Sequence, residues 1–563
     1  MTRVLILLGA LLSVSSAFAR ADVSLRNGNF FVSLRDISFP GGIEPKIERV
    51  YNSKSDFHGM FGYSWGTEYE TRLGFDPDGS LLLTEYGGGA NIRFVPKTFT
   101  AKDVEDGIKS VVESAQKAGI VTSAKGLEDY RKRLRESSEF RAKQYAIFVN
   151  KGSLQRKVIA ENTQFISTDY QYQYLTRVKG GYTRVMEAGM IQKFNEAGRL
   201  VQIMDRNRNF VNFSYDSNGK IAQMIDNQNR KMVFSYNQFG LVERITGESG
   251  KKAEFKYSKE GFLVYSKDDA GVENTFKYTA DQYRNLSEIG YPNDRNAKGE
   301  PKRMVVGYYG PEKNSSVKSV VNLDGTVNEY EYELAGKTPG YYSVRVVLKD
   351  ASGAKLNDSK YEYFYKTKPS GEEFTSRMVT TVDGEKTETV YDEKLGYPLK
   401  ITANGKTTTM EYDLKGRMTR KVTPLHTTTL TYDPVVGKVS KVVKKVASGT
   451  VIWSEFEYDK TTGNLLVARN SDKKLVKLIY DSQGRISALV DQAGRQLTFK
   501  YNELSKPVEI RDAKLGTVRF TYKNSGEVDK VDSNGGAGVS VEVMRALQSL
   551  IDITAPAGVT MSI

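Results

Sequence analysis

Residues 213–221 read Phe213-Ser214-Tyr215-Asp216-Ser217-Asn218-Gly219-Lys220-Ile221, and the pattern returns 21 positions later as Phe234-Ser235-Tyr236-Asn237-Gln238-Phe239-Gly240. Working outward, Phe194, Tyr215, Tyr236, Tyr257 and Tyr278 follow one another at steps of 21, and Tyr391, Tyr412, Tyr432, Tyr458, Tyr480, Tyr501 and Tyr522 resume at steps of 20 to 26. A large apolar residue recurs two positions earlier, at Phe213, Phe234, Phe255, Phe276, Phe456, Phe499 and Phe520, with Met410, Leu430 and Leu478 substituting elsewhere. Apolar-x-Tyr is the period-two alternation of a strand with one buried face. A glycine often stands four residues after the tyrosine, as at Gly219, Gly240, Gly416 and Gly484, with an apolar residue soon behind it. Glycine accepts positive φ and Asp or Asn bonds the turn backbone, so these segments are turns.

A unit of this length holds two strands of roughly seven residues and two turns, which is one β-hairpin. A lone hairpin is marginal in water, so the units must stack side by side, with strands about 4.8 Å apart and successive tyrosines about 10 Å apart on one face. The sequence therefore predicts a mainly β chain of stacked antiparallel hairpins over residues 186–534, about 15 repeats in all. Tyr215, Tyr236, Tyr480 and Tyr501 are expected to be mostly buried rungs; exposed, they would form a ligand strip. Between Tyr278 and Tyr391 the spacing loosens, and Tyr308, Tyr332 and Tyr363 are expected to anchor hairpins with longer loops such as 292–301 and 336–340.

Residues 22–185 form a strand-rich domain ahead of the repeats, in which Asp76-Pro77-Asp78-Gly79 between Leu73 and Leu81 signals a hairpin. Within it the segment from about 101 to 144 lacks strand alternation. Val104, Ile108, Val111, Val112 and Ala115 recur there at helical spacing and Leu127, Tyr130 and Leu134 follow, which predicts an inserted helical hairpin. Its cluster Arg131, Lys132, Arg133 and Arg135 is the candidate partner surface, or else the solvated face of a helical cover. In the tail, 535–563, Val543, Leu547, Leu550 and Ile551 predict a short amphipathic helix before Pro556, docked on the core or open to a partner. At the other end Arg3, the apolar run 4–12 and Ala17-Phe18-Ala19 have the order of a secretory signal peptide over 1–21, cleaved after Ala19 or Ala21. The expected location is periplasmic, at the cell surface or secreted.

Composition narrows the chemistry. None of the 563 residues is cysteine and two are histidine, which excludes disulfides and cysteine-ligated metals. Beyond the signal-like start no apolar run approaches the ~20 residues of a transmembrane helix, so none is expected in the mature chain. A surplus of 82 basic over 68 acidic residues, +14 net, favours acidic partners, yet the two signs interleave, which argues against nucleic acid. His58 and His426 fall in turn-like segments and read as surface or loop residues. Asp205, Asp226, Asp268, Asp491 and Asp512 recur eleven residues after their anchors. They could serve as acid–base pairs or a calcium ladder, but recurrence with the repeat predicts that they cap the second turn. No phosphate loop, zinc spacing or nucleophile elbow is present, so neither a cofactor nor a reaction is expected.

The tyrosine–aspartate turns Tyr215-Asp216-Ser217-Asn218-Gly219 and Tyr480-Asp481-Ser482-Gln483-Gly484-Arg485-Ile486 resemble the YD repeat of bacterial Rhs proteins and animal teneurins. The order Arg49-Val50-Tyr51-Asn52-Ser53, Gly59-Met60-Phe61-Gly62-Tyr63-Ser64-Trp65, Tyr69 to Arg72-Leu73 resembles the domain that opens the repeat shell in Rhs proteins, and the likeness runs from about 22 to 530. It implies a spiralling or partly closed β-shell, which encloses a toxin in Rhs and insecticidal toxin complexes and serves adhesion in teneurins. The Rhs pattern of a self-cleaving Asp-Pro-rich segment before a toxin is not matched by Asp532-Ser533-Asn534-Gly535, about 28 residues remain after it, and no toxin is expected here. Arg49, Tyr51, Trp65 and Arg72 are expected to be structural, holding the first domain against the first repeats.

The expected function is that of an exported, non-enzymatic YD-repeat scaffold or binding protein of the bacterial envelope or surface. It would engage an envelope protein or an anionic glycan, with homo-oligomerisation left open. The alternatives are an orphan shell for a separately encoded toxin and, behind it, a glycan-active enzyme.

Overall fold

The computed structural model describes residues 20–39, 43–85, 89–168, 173–186, 189–333, 340–367, 373–502, 506–522 and 528–554. The signal-peptide reading, most of the loop 336–340, Pro556 and the end of the tail lie outside them. The chain divides into two compact units, one of Glu48–Val50 and Ser55–Val242, the other of Met1–Ile47, Tyr51–Lys54 and Glu243–Ile563. The fold is mainly β: 36 strands, from Arg72–Phe75 to Val528–Ser533, follow one another in chain order as antiparallel hairpins on both sides of the boundary.

One repeat shows why these residues build it. Phe213 is buried, whereas Tyr215 is mostly but less completely so. The reason is a slip in the ladder: Ser214 faces Gln223, but Tyr215 faces Ile221. The same slip recurs at Tyr412, Tyr432, Tyr480, Tyr501 and Tyr522. A bulge of this kind bends the strand and re-aims its side chain. Each tyrosine hydroxyl then donates to the backbone carbonyl at the start of the preceding return strand: Tyr215 to Leu200 at 2.6 Å, Tyr236 to Ile221 at 2.7 Å, Tyr480 to Leu465 at 2.8 Å and Tyr501 to Ile486 at 2.6 Å. Tyr215, Tyr236, Tyr480 and Tyr501 are mostly buried rungs, as the alternation expects, and their tips stitch neighbouring repeats. Tyr501→Phe keeps the ring and removes one stitch; it is expected to cost about 1 kcal/mol, read as a lowered urea midpoint at unchanged slope.

The turns behave as their residues require. Asp216 accepts the N–H groups of Asn218 and Lys220, at 2.9 and 2.8 Å, with Gly219 at φ +76°. The second-turn aspartates do the same: Asp226 accepts from Gln228 and Arg230, and Asp491 from Ala493 and Arg495. They are caps. In the loosened region Tyr308 keeps the anchor geometry, facing Val317 and donating to the Leu286 carbonyl at 2.9 Å. Tyr332 and Tyr363 do not, because each sits in a long regular ladder, Tyr332 opposite Val344 and Tyr363 opposite Tyr342. The expected loop 292–301 is shorter than the sequence suggested: strand Leu286–Arg295 runs through Pro292, and the register shifts between Tyr291 and Arg295, where a residue without N–H does least harm.

The helical insert contains three helices rather than two, α1 (Ala101–Lys117), α2 (Ala124–Glu136) and α3 (Ser138–Asn150), so it ends past Gln144. The spacing of Phe140, Tyr145, Ile147 and Phe148 does not form one apolar stripe, so α3 carries no amphipathic signature in the sequence. Ile108, Val111 and Val112 bury themselves among the helices, against Tyr130, Leu134, Tyr145 and Phe148. In the other unit α4 (Ala537–Thr554) packs Val543, Met544, Leu547, Leu550 and Ile553 into the repeat core with Leu478, Leu497 and Phe520, the docked alternative for the tail. Among the described residues no helix is long and apolar enough to cross a membrane.

Candidate functional site

Three of the opening motif residues are fully buried. The Arg49 guanidinium lies over the Trp65 ring at 4.8 Å and over Phe61 at 5.7 Å. The Tyr51 hydroxyl accepts the Leu286 N–H at 2.9 Å, several repeats beyond the first ones that the sequence pointed to. Arg72 departs from this group, because its side chain is exposed. Its strand nevertheless meets a repeat turn, with the Leu73 N–H donating to the Gly198 carbonyl at 2.8 Å and Arg72 bridged to Arg199.

That junction forms a pocket of about 300 Å³, lined among others by Glu70, Arg72, Arg199, Tyr215, Lys220 and Tyr236. Glu70 is placed by a capping box: its carboxylate accepts the Met60 N–H at 2.6 Å and the Thr67 N–H at 3.1 Å. Burial pushes Glu70 up to about 7, with those two N–H groups and Arg72 pulling the other way. Burial likewise pushes Tyr215 up to about 12 and raises Tyr236. Arg199 lies over the Tyr215 ring at 5.6 Å, and Lys220 over Tyr236 at 5.1 Å, its Nζ donating to the Gly240 carbonyl at 2.9 Å. His58 stands at the rim, edge-on to Tyr63 at 4.8 Å. His426 opens a strand, where its ring nitrogen is 3.2 Å from the Thr423 hydroxyl. Among the described residues no cluster of three metal-ligating side chains occurs.

A raised carboxyl has a definite pH signature. The folded state holds the Glu70 proton more tightly than the unfolded chain, so stability from this group is greatest below its ordinary value of 4.5 and is lost as pH rises toward about 7. Glu70→Gln is expected to flatten that part of the stability–pH profile, measured by denaturant unfolding at a series of pH values.

The candidate partner surface on α2 is exposed at Arg131, Lys132, Arg133 and Arg135. Part of it is engaged within the insert: Arg135 makes two 2.8 Å bonds to Glu105, and Arg133 lies over Phe140 at 4.2 Å. Tyr480 and Tyr501 belong to the other unit. Sequence reasoning missed Arg141. It is fully buried, donates from Nε to both Asp76 oxygens at 2.8 and 3.1 Å, reaches Asp78 at 3.2 Å and bonds the Leu134 carbonyl at 2.7 Å. Arg93 also binds Asp78. The available signal was the hairpin turn itself, since two carboxylates in one buried turn require a cation. Gly107 of α1 comes so close that a Cβ there would stand 2.7 Å from the Asp78 nitrogen.

Residues 21–94 match the family model described as a domain of unknown function, DUF6531, a span that contains the Arg49-to-Leu73 motifs. No curated protein matches the chain. Solved structures similar to it include the Photorhabdus luminescens Tc holotoxin pore, at 11% identity and TM-score 0.41 over 90% of this chain and 29% of that one. Another is TcdB2-TccC3 without its hypervariable C-terminal region, at 12% identity and TM-score 0.42 over 94% of this chain and 29% of that one. A third is TcdB2-TccC3-TEV, at 13% and 0.42 over 93% and 28%. The chain thus spans less than a third of the length of those chains.

Proposed function

We propose that this chain is an exported, non-enzymatic YD-repeat scaffold of the bacterial envelope or surface that presents binding surfaces on a stiff β-framework. Residues 22–185 would serve as its opening domain, 186–534 as the repeat sheet and 535–563 as a tail that covers the repeat core. Arg49, Tyr51 and Trp65 would hold the opening domain in place. The observation that carries the reading is the recurrent stitch of tyrosine hydroxyl to backbone carbonyl, which fixes neighbouring repeats together through groups that a catalytic surface would need free. A framework satisfied in this way gains nothing from an inserted helical module for stability alone, and insertions into exposed turns are a cheap way to add a recognition surface. The α2 face with Arg131 and Lys132 would dock an acidic envelope protein.

The test is affinity capture from the native envelope with the wild type and with Arg131→Glu combined with Lys132→Glu, two exposed positions whose reversal leaves the helical core untouched. Capture by the wild type that the variant loses supports the reading; capture of nothing by the wild type overturns it. Export is read in the same preparation. Strand Arg20–Ser24 pairs with Asn29–Ser33 from Arg20 onward, so cleavage after Ala19 preserves the ladder whereas cleavage after Ala21 removes Arg20 and Ala21 from it. Mass spectrometry of the exported protein is expected to place Arg20 at its N-terminus.

A further inference from the structure

We propose that the pocket beside Glu70 binds a carboxylate-bearing sugar, of the kind of a hexuronic acid within an anionic glycan. The proposal rests on the scaffold reading and names the ligand of one of its surfaces.

The basic residues of the pocket differ from their counterparts in two other repeats. In those two repeats the arginine after a turn glycine lies over the next tyrosine and is neutralised by the aspartate four residues before it. Arg417 lies over Tyr432 at 4.4 Å and bonds Asp413 at 2.8 Å, and Arg485 lies over Tyr501 at 4.7 Å and bonds Asp481 at 2.7 Å. In the pocket the stacking persists and the neutralisation does not. Arg199 has Asn195 at that position, an amide that accepts the Arg199 backbone N–H at 3.0 Å and carries no charge. Lys220 follows Asp216, but its Nζ turns to the Gly240 carbonyl while Asp216 is taken up by backbone N–H groups. Arg72 adds a third cation from the opening domain. Among the described residues none of the three forms an ion pair, and the lining sets three basic side chains against one carboxylate, Glu70, on which Arg72 acts. Such a site raises the local concentration of anions.

Glu70 stands in the same wall with its oxygens held by backbone N–H groups, and it offers a lone pair to a hydroxyl donor while opposing a second negative charge. The Tyr215 and Tyr236 hydroxyls give their protons to Leu200 and Ile221, so toward a ligand they can only accept. A ligand with one negative group for the cations, several hydroxyl donors for these acceptors and a C–H face for the tyrosine rings is a sugar acid. The volume is at the lower end of the roughly 300–1,000 Å³ of small-molecule sites. The turn glycines make the room: a Cβ at Gly219 would overlap the Arg199 guanidinium, and one at Gly240 the Lys220 ammonium.

The experiment titrates oligomers of galacturonic acid, neutral glucose oligomers and a hexose phosphate into the exported full chain by calorimetry. The uronate is expected to bind at least about tenfold more tightly than either comparator, and Arg199→Gln combined with Lys220→Gln to lose about tenfold or more. Asn195→Asp, which supplies the carboxylate that other repeats have, should weaken binding without removing any side chain of the pocket, and Lys220→Arg should retain it. Thermal unfolding of each variant checks its fold. No heat with the uronate, equal binding of neutral sugar, tighter binding of the hexose phosphate, or full affinity in a folded double variant would each overturn the proposal. Envelope capture by a wild type that does not bind uronate removes the pocket alone and leaves the scaffold reading standing.

Discussion

Arg141→Leu is expected to destabilise the unit that contains it by about 3–5 kcal/mol, the cost of leaving buried charge without its partner. Three features set that size. Arg141 and Asp76 are both essentially excluded from solvent, the guanidinium joins Asp76 and Asp78 at once, and Gly107 brings α1 close against the backbone of the same turn. Burial and the neighbouring Asp78 already push Asp76 up to about 6 against the pull of Arg141. A folded value above the ordinary 3.8 means that stability from this group falls as pH rises toward about 6, so the defect of the variant should be smaller near pH 4 than at pH 7. Hydrogen exchange should show α1–α3 opening together in the variant while the strands Gly516–Tyr522 and Val528–Ser533 keep their protection. Equal protection of the helices in both proteins would mean that the apolar faces alone hold the insert.

Trp65→Ala is expected to cost about 3–5 kcal/mol as well, for a different reason: a fully buried indole is deleted and a cavity opens beside the Arg49 guanidinium. Arg49 loses a stacking partner in the same step, which adds to the transfer and cavity terms. Because the chain has two compact units, unfolding followed by a single probe averages over both, and the change belongs in the transition of the unit with Ser55–Val242. Trp65→Phe should recover about half of the loss by refilling part of the cavity.

The fold was legible because the repeat writes one instruction many times. Phe213, Phe234 and Phe520 are buried at the positions the alternation assigns, and Asp216 and Asp491 close the turns that their spacing implies. Mutually consistent local signals leave few alternatives for a chain to adopt. Alternation also places the tyrosines on the covered face, but it assumes a regular ladder and does not encode the bulges that re-aim Tyr215 and Tyr480 toward the neighbouring repeat. α3 is not legible as a stripe for another reason: its buried face carries Arg141 beside Ala142, Tyr145 and Phe148, while the apolar Ile147 is exposed.

The candidate site divides along the same line. Its residue types stood in the sequence, with Arg72 in the opening motif and Tyr215 and Tyr236 in the ladder, but nothing local said that a strand of the first domain would meet the turn at Gly198 and gather these groups around Glu70. By itself the sequence determined the hairpin repeat, its turns and its caps, because each depends on φ preferences and on contacts between residues near in the chain. The tertiary structure alone decided which charges are neutralised. Asp76 and Asp78 find Arg141 more than sixty positions away, while among the described residues Arg199 and Lys220 form no ion pair, and both outcomes depend on distances in space that no spacing along the chain encodes.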